Sequence, residues 1–174
     1  MVWSFFHVKR KKFRKWSWVK SIINKDEKKY ILPVVRLQVI RERSIEYDCG
    51  RVDNPQKAAE LVRDLFLENA DREYLVVCCL DTKLKPLSVE IAAIGSLNQF
   101  MVNPRDIFKN AILSNSANIL VLHNHPSGDA QASMDDDRIT QRLKAAGELL
   151  GIPLVDHIII GKDCIFSFRE EERL

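Results

Sequence analysis

Two histidines and a downstream aspartate form the part of this sequence best suited to chemistry. His123 and His125 are two residues apart at the end of a predicted strand, so their imidazoles are expected on one face and can converge on one ion. Asp136 falls in the first turn of the next predicted helix if Ser133 is its N-cap. Two imidazole nitrogens and one carboxylate suit zinc, and three protein ligands leave the fourth position for water, as catalytic sites require. The spacing therefore predicts a catalytic zinc site.

A hydrolytic zinc site also needs a carboxylate that accepts a proton and later returns it to the leaving group. This carboxylate cannot itself be a ligand. Glu73 and Glu90 both lie at the boundaries of predicted strands and are candidates for this general acid/base. Ser133 or Ser127 can donate a hydrogen bond to the oxyanion that forms on an attacked carbonyl group. The residues alone leave both choices open.

The same features also have purely structural interpretations. A His-x-His pair occurs often by chance, and acidic residues at 135–137 interact favourably with a helix dipole, which is worth about 0.3–1 kcal/mol. His157 lies in an apolar predicted strand, which indicates either a core histidine or a histidine that contacts a metal-ligating side chain without binding the metal itself. In the second case Asp156 is placed to orient a nearby donor. The metal site is favoured because both histidines, a Pro-Gly loop and a capped acidic helix occur together within a short stretch.

The elements that position these residues follow from hydrophobic periodicity and from turn signals. Residues 31–42 alternate apolar and polar side chains with the period of a half-buried strand. Asn-Pro pairs predict the starts of two helices. The predicted elements after this strand are a helix from Asn54-Pro55, a hairpin of strands 73–80 and 87–94, a helix from Asn103-Pro104, a strand at 118–122, a helix ending at Gly151, and strands at 155–160 and 165–168. This irregular alternation predicts an α/β sandwich with a mixed β-sheet and flanking helices.

Length and composition indicate one ordinary globular domain. The chain has 174 residues, of which 46% are hydrophobic and 29% are charged. No apolar run approaches the roughly 20 residues that a membrane span requires. The net charge of +3 conceals an asymmetry, because residues 1–25 contain eight Lys or Arg and no acid, whereas the rest of the chain is mildly acidic.

The basic N-terminal segment, residues 1–25, also contains several aromatic side chains. A disordered basic extension is one interpretation, and binding to nucleic acid through phosphate contacts and base stacking is another. Its apolar residues scatter around a helical wheel, which argues against an amphipathic helix on a membrane surface.

The cysteines indicate a reducing compartment. Cys49, Cys78, Cys79 and Cys164 include no C-x-x-C pair, and the adjacent Cys78 and Cys79 are expected on opposite faces of a strand. No signal peptide is recognisable at the N-terminus. We therefore expect reduced thiols and a cytoplasmic protein.

The sequence resembles the bacterial RadC-type proteins, which carry a JAB/MPN domain with the JAMM metalloprotease motif. The similarity covers roughly residues 31–170. It is carried by REYLVVCCLDTK at 72–83, IGSLNQFMVNPRDIFKNAILSNSANILVLHNH at 94–125, and HNHPSGDAQASMDDDRITQRLKAAGELLGIPLVDHIIIG at 123–161.

This resemblance implies zinc ligands at His123, His125 and Asp136. It also implies that Glu73 is the general acid/base and that Ser133 helps to stabilise the tetrahedral intermediate. The fold that it implies is the family's cytidine-deaminase-like α/β sandwich, in agreement with the alternation of elements.

Two features depart from the family pattern. Ala132 occupies a position where the family usually has proline, and the helix-hairpin-helix segment that precedes the domain in longer RadC proteins is not found in this sequence. All the ligand positions are retained.

We therefore expect a flexible extension at 1–25 and a RadC-type JAB/MPN domain at 31–174. The domain is expected to bind one Zn²⁺ ion and to hydrolyse a peptide or isopeptide bond in a peptide or protein substrate. The alternative is a DNA-repair-associated or nucleic-acid-binding protein in which the zinc domain is structural or has another role, since the family name reflects an assignment to DNA repair. A zinc-stabilised scaffold without catalysis is a third possibility.

Overall fold

The computed structural model of the chain describes residues 32–47, 50–65, 71–95 and 102–174. Residues 32–36 belong to a unit that is separate from residues 37–174. They are exposed and contain no helix or strand. The basic segment at 1–25 and Cys49 lie outside the described residues, so the predictions made for them stay predictions.

A mixed five-stranded sheet forms the centre of the second unit. Its strands lie side by side in the order β2-β1-β3-β4-β5. All neighbouring strands are antiparallel except β3 and β4, which are parallel. The strands are β1 at Glu73–Leu80, β2 at Pro86–Gly95, β3 at Asn118–Asn124, β4 at Leu154–Ile160 and β5 at Ile165–Ser167. The predicted hairpin and the predicted α/β class with a mixed sheet are confirmed.

In the described part of the chain, three α-helices flank this sheet: α1 at Pro55–Val62, α2 at Pro104–Leu113 and α3 at Met134–Leu150. Proline occupies the first turn of α1 and of α2, where its missing N–H group costs nothing. The N-caps are Asn54, Asn103 and Ser133, as the sequence predicts. Helix α3 ends at Gly151, whose φ of 68° places it in the left-handed region that glycine adopts without strain.

Strand β1 lies in the core, with helices covering both of its faces. Its odd-numbered residues from Leu75 pack in the cluster that includes side chains of α2 and α3. Its even-numbered residues from Val76 pack in the cluster that includes α1. Cys78 and Cys79 are both fully buried and belong to different clusters, so the prediction that they lie on opposite faces is confirmed.

The strand predicted at residues 31–42 is wrong for the described residues 32–42. They form no strand, and all of their side chains are exposed. Alternation decides which side chains share a face, but a strand also needs a neighbouring backbone to pair with. Within the second unit, no backbone hydrogen bond joins residues 37–42 to any other described segment.

Strand β3 is longer than predicted, because it continues beyond Leu122 to Asn124. The apolar run ends at Leu122, but the parallel ladder with β4 continues through the pairs His123 with Ile159 and Asn124 with Ile160. His123 is therefore held inside a ladder and is not part of a loop.

Strand β2 forms one edge of the sheet and borders a cavity of about 760 Å³. The cavity is lined by residues 39–45 and 47, by Leu61 and Leu65, by residues 86–91 and by part of α2. Among the described residues, no helix has the length and apolar character needed to cross a membrane.

Candidate metal centre

Strand pairing in the sheet fixes the position of His123. It pairs with Leu75 of β1 on one side and with Ile159 of β4 on the other. Leu75 belongs to the core cluster under α3, and residues paired across an antiparallel ladder direct their side chains to the same face. His123 therefore points toward α3, and only 4% of its surface is exposed.

His125 follows the end of β3 and is held by the loop that leaves it. Its backbone N–H donates to the Ile160 carbonyl oxygen at 3.0 Å, and its carbonyl oxygen accepts from the Gly128 N–H at 2.9 Å. Gly128 has a φ of 83°, a conformation that favours glycine in this turn. The Gly128 carbonyl oxygen accepts from the Lys162 N–H at 2.9 Å, which ties the loop to the residues after β4.

Asp136 is held by the capping box at the start of α3. The Ser133 Oγ accepts from the Asp136 N–H at 3.2 Å, and the Asp136 Oδ2 accepts from the Ser133 N–H at 2.8 Å. The Ser133 hydroxyl also donates to Asp136 Oδ2 at 2.6 Å. The predicted position of Asp136 in the first turn is therefore confirmed, with its carboxylate fixed at the helix end.

These three side chains come together at one point. The Nε2 atoms of His123 and His125 are 3.1 Å apart. Asp136 Oδ1 lies 3.2 Å from the Nε2 of His123, and its Oδ2 lies 3.7 Å from the Nε2 of His125. One ligand atom from each residue lies within 4.8 Å of the others, so the group could hold a metal ion. Whether they act as ligands stays a prediction at this point.

The electrostatics of the group couple the imidazoles to the carboxylate. The hydrogen bond to Asp136 raises the pKa of His125 against the opposing effect of burial, and the charge of Glu73 adds to the increase. Burial alone would raise the pKa of Asp136, but the hydrogen bonds with His123, His125 and Ser133 hold it well below its ordinary range. The centre thus favours an ionised Asp136 carboxylate and a more basic His125 imidazole.

The second nitrogen of His125 has a fixed proton. His125 Nδ1 lies 2.8 Å from the carbonyl oxygen of Asp129, which can only accept a hydrogen bond. Nδ1 therefore carries the proton, and in the neutral ring the lone pair is on Nε2, the nitrogen that faces His123 and Asp136. A hydrogen bond from the second ring nitrogen to a backbone carbonyl oxygen commonly orients a metal-binding imidazole.

Glu73 begins β1 two residues before Leu75, so it lies on the same face of the sheet as His123. The backbone on both sides of Glu73 is held by the side chain of Asn124. Asn124 Oδ1 accepts from the Tyr74 N–H at 2.7 Å, and its Nδ2 donates to the Arg72 carbonyl oxygen at 3.0 Å. Glu73 is half-buried, and its charge acts on His125.

Glu90, the alternative carboxylate, is placed differently. It pairs with Val77 of β1, further along the sheet than the Leu75 pair that adjoins His123. It lines the cavity at β2, and its Oε2 atom is buried without a hydrogen-bond partner in the described part of the chain. The geometry brings Glu73, and not Glu90, to the end of the sheet that carries the histidines.

The two candidate serines also differ in their contacts. The Ser133 hydroxyl proton is directed to Asp136, so in this structure Ser133 supports the carboxylate. Ser127 Oγ accepts from the Asp129 N–H at 3.3 Å and shapes the loop. The role of either serine at an oxyanion stays a prediction.

Sequence reasoning did not identify Thr140 and Asn124 as parts of this region, and it left the place of His157 open. His157 is fully buried, stacks on Phe168 at a ring distance of 5.0 Å, and places Nε2 2.9 Å from His123 Nδ1. Burial lowers the pKa of His157 well below its ordinary value. The place of Asn124 between the two histidines of the His-x-His pair offered a weak signal, whereas Thr140 gave none.

Asp156 does not orient a histidine ring. Its carboxylate accepts from the Ser167 hydroxyl at 2.5 Å, from the Arg169 N–H at 3.0 Å and from the His157 backbone N–H at 2.8 Å. Asp156 therefore does hold nearby donors, as expected, but these are a hydroxyl and two backbone N–H groups that join the end of β5 to β4, and none is a ring nitrogen.

Comparisons with known proteins agree with this architecture. The model of the RadC-like JAB domain family matches residues 52–174. A UPF0758 protein of Thermotoga maritima is 41% identical over 133 residues, which are 76% of this chain and 59% of the relative. A UPF0758 protein of Clostridium kluyveri is 46% identical over 124 residues, or 71% of this chain and 54% of the relative.

A third relative, a UPF0758 protein of Shouchella clausii, is 44% identical over 119 residues, or 68% of this chain and 51% of the relative. This chain thus aligns with little more than half the length of these curated relatives. The family model covers most of the described fold, including every member of the histidine and aspartate group. The chain belongs to the RadC-like JAB domain family.

Proposed function

We propose that this protein is a zinc-dependent hydrolase of the JAMM type that cleaves a peptide or isopeptide bond. The observation that carries the proposal is the convergence of His123 Nε2, His125 Nε2 and the Asp136 carboxylate within 4.8 Å. Each of the three is held by separate backbone contacts, which is the preorganisation expected of a site that binds an ion.

The donor set fits zinc. Imidazole nitrogen and carboxylate oxygen are common zinc ligands, and a set of three from the protein is typical of catalytic sites. The Nδ1 of His125 donates to a backbone carbonyl oxygen, so its Nε2 is the ligating nitrogen of the neutral ring. When bound, Zn²⁺ lowers the pKa of water and polarises a carbonyl group.

Glu73 is the proposed general acid/base. Its carboxylate accepts a proton from the attacking water as the new carbon–oxygen bond forms, and it returns that proton to the leaving nitrogen as the carbon–nitrogen bond breaks. The Asn124 side chain holds the backbone on both sides of Glu73, which limits how far this carboxylate can move. Ser133 keeps Asp136 in place and is the proposed donor to the oxyanion.

The substrate is proposed to be a peptide or a protein, and the compartment is proposed to be the cytoplasm. Support for the compartment comes from the cysteines, whose spacing provides no disulfide framework.

Metal analysis tests the zinc site. Purified protein is loaded with Zn²⁺, desalted and analysed for metal, beside His125→Ala and the matched control His7→Ala, which changes a histidine of the basic segment. We expect about one zinc per chain in the wild type and in the control, and its loss in His125→Ala. Equal zinc in all three proteins would contradict the site.

A matched pair of glutamate variants tests the general acid/base. Glu73→Gln is expected to keep bound zinc and to lower the cleavage of fluorogenic peptides and an ε-linked lysine isopeptide by about 10²–10⁴-fold. Glu90→Gln removes the same charge from the other candidate and is expected to leave cleavage unchanged. Full activity in Glu73→Gln would contradict its assignment, and loss of zinc would make Glu73 a ligand or a structural residue.

A further inference from the structure

A chain of hydrogen bonds runs behind His123 through buried side chains. His123 Nδ1 lies 2.9 Å from His157 Nε2, and His157 Nδ1 lies 2.6 Å from Thr140 Oγ1. Thr140 Oγ1 also donates to the backbone carbonyl oxygen of Asp136 at 2.6 Å. Thr140 and His157 are both fully buried. The chain therefore begins at a ligating histidine and ends on the helix turn that carries the ligating carboxylate.

The position of each proton in this series of hydrogen bonds follows from its last acceptor, the Asp136 carbonyl oxygen. A carbonyl oxygen only accepts hydrogen bonds, so the single hydroxyl proton of Thr140 goes to Asp136. Thr140 Oγ1 must then accept from His157 Nδ1–H. His157 is fully buried, and its ring hydrogen-bonds to His123 and Thr140, with no carboxylate partner in the described part of the chain. Its ring is therefore neutral, and its Nε2 is an acceptor. His123 therefore donates from Nδ1, and when this ring is neutral its lone pair lies on Nε2.

We propose that Thr140 and His157 are positioning residues that hold His123 in the tautomer with its proton on Nδ1, and thereby set the affinity of the centre for Zn²⁺. The effect on affinity rests on the proposed function, whereas the tautomer does not. The stacking of His157 on Phe168, with 8° between the ring planes, fixes the orientation of the ring that transmits this choice.

The opposite assignment explains why Thr140 matters. If the proton of His157 were on Nε2, His157 would donate to His123 Nδ1, and the proton of His123 would move to Nε2, where it blocks a metal ion. That arrangement requires Thr140 to donate to His157 and to give up its bond to the Asp136 carbonyl oxygen. The Thr140–Asp136 bond is thus the contact that selects the metal-binding tautomer.

Nitrogen NMR of the metal-free protein tests the tautomer directly. In ¹⁵N-labelled wild-type protein, we expect His157 Nδ1 to have the chemical shift of a protonated ring nitrogen and His157 Nε2 that of a bare one. Thr140→Val preserves the shape of the side chain but removes the acceptor, so we expect the proton to shift wholly or partly to Nε2. Thr140→Ser retains the hydroxyl and is expected to match the wild type.

Competition with a zinc chelator tests the consequence. Loss of a residue that supports a ligand from behind commonly weakens metal binding by about 10- to 100-fold, and we expect a weakening in this range for Thr140→Val. Thr140→Ser is expected to bind Zn²⁺ with nearly the wild-type affinity.

The two measurements separate the inference from the proposed function. A wild-type His157 with a bare Nδ1 would overturn the inference, and this result needs no variant to fold. Zinc affinity in Thr140→Val equal to that of the wild type would also overturn it. If the wild type shows the expected tautomer but binds no Zn²⁺, the proposed function fails while the assignment of the protons stands.

Discussion

Two sides of this molecule differ in how their buried polar groups are hydrogen-bonded. The ligand side is formed by β3, the loop at 125–133, α3 and β4. Its carboxylates, imidazoles and hydroxyls form hydrogen bonds with one another or with the backbone at 2.5–3.3 Å. On the β2 side, formed by residues 37–47, β2 and α2, Glu90 Oε2 is buried without a partner in the described part of the chain. A cavity and exposed apolar side chains adjoin it.

The difference shows what positions a candidate catalytic group. His123, His125 and Asp136 are each fixed through backbone contacts at element ends, namely a ladder, a turn and a helix cap. Glu90 has a similar carboxylate on the same face of the sheet as His123, but its buried Oε2 has no hydrogen-bond partner among the described residues. Preorganised surroundings, more than residue type, distinguish the two carboxylates Asp136 and Glu90.

The largest predicted effect concerns Gly147, the glycine of the ligand side where α3 lies against the segment that leads into β4. A Cβ atom at Gly147 would lie 2.6 Å from the Ile152 carbonyl oxygen and 3.2 Å from the Leu154 N atom, so Gly147→Ala forces α3 away from β4. Such overpacking costs about 1–3 kcal/mol, which outweighs the gain in helix propensity of up to about 1 kcal/mol. We expect urea denaturation to show a lower free energy of unfolding.

Gly50 is the matched control, since a Cβ atom there meets no described atom within 4 Å. Gly50→Ala is expected to change the free energy of unfolding by less than about 0.5 kcal/mol. If Gly147→Ala were as stable as Gly50→Ala, the close approach of α3 to β4 would be wrong.

Helix caps give the next contrast. The Ser133 side chain accepts from the Asp136 N–H, whereas the Asn103 side chain makes no capping hydrogen bond. Ser133→Ala is therefore expected to lower the free energy of unfolding by about 1 kcal/mol and to weaken zinc binding, because Asp136 loses its anchor.

Asn103→Ala at the start of α2 is expected to have a smaller effect on the free energy of unfolding, measured in the same urea titrations. Equal losses in the two variants would mean that the capping box contributes nothing beyond residue preference. A stability loss in Ser133→Ala with unchanged zinc affinity would separate the cap from the metal centre.

The smallest expected effect comes from Glu90. Burial raises the pKa of Glu90, and the charge of Lys109 opposes the increase. The Glu90 carboxyl therefore binds its proton more tightly in the folded protein than in the unfolded chain. As the pH rises from the pKa of the unfolded state through the raised pKa of the folded state, the contribution of Glu90 to the free energy of unfolding falls. Glu90→Gln removes this dependence.

We expect Glu90→Gln and the wild type to be equally stable near about pH 4, and the variant to be slightly more stable near about pH 7. Paired urea titrations at the two pH values measure the difference. A variant that is less stable at neutral pH would show that the Glu90 carboxylate has a favourable partner, and the contrast between the two sides would weaken.

Local signals in the sequence were sufficient to predict much of the structure of the ligand side. Ser133 and Asp136 have the spacing of a capping box, and Gly151 ends α3 as a left-handed residue. Two histidines at the end of a strand share a face. These features depend on contacts between residues that are close in sequence, so periodicity and cap chemistry predict them.

Features that depend on distant segments could not be predicted in this way. His157 meets His123 because β3 and β4 pair in parallel with a particular register, and Thr140 meets His157 because α3 crosses that pair. The choice between Glu73 and Glu90 likewise depends on the register of the hairpin. For residues 32–42, the alternation was clear, but a strand also requires a pairing edge, and the sequence of one segment does not specify that edge.

The central claim is that His123, His125 and Asp136 together hold one zinc ion. Anomalous diffraction from crystals of the zinc-loaded protein, recorded on both sides of the zinc absorption edge, tests it most directly. The account predicts one peak per chain, bonded to Nε2 of both histidines and to the Asp136 carboxylate. A zinc peak held by other side chains, or these three residues without a peak between them, would contradict it.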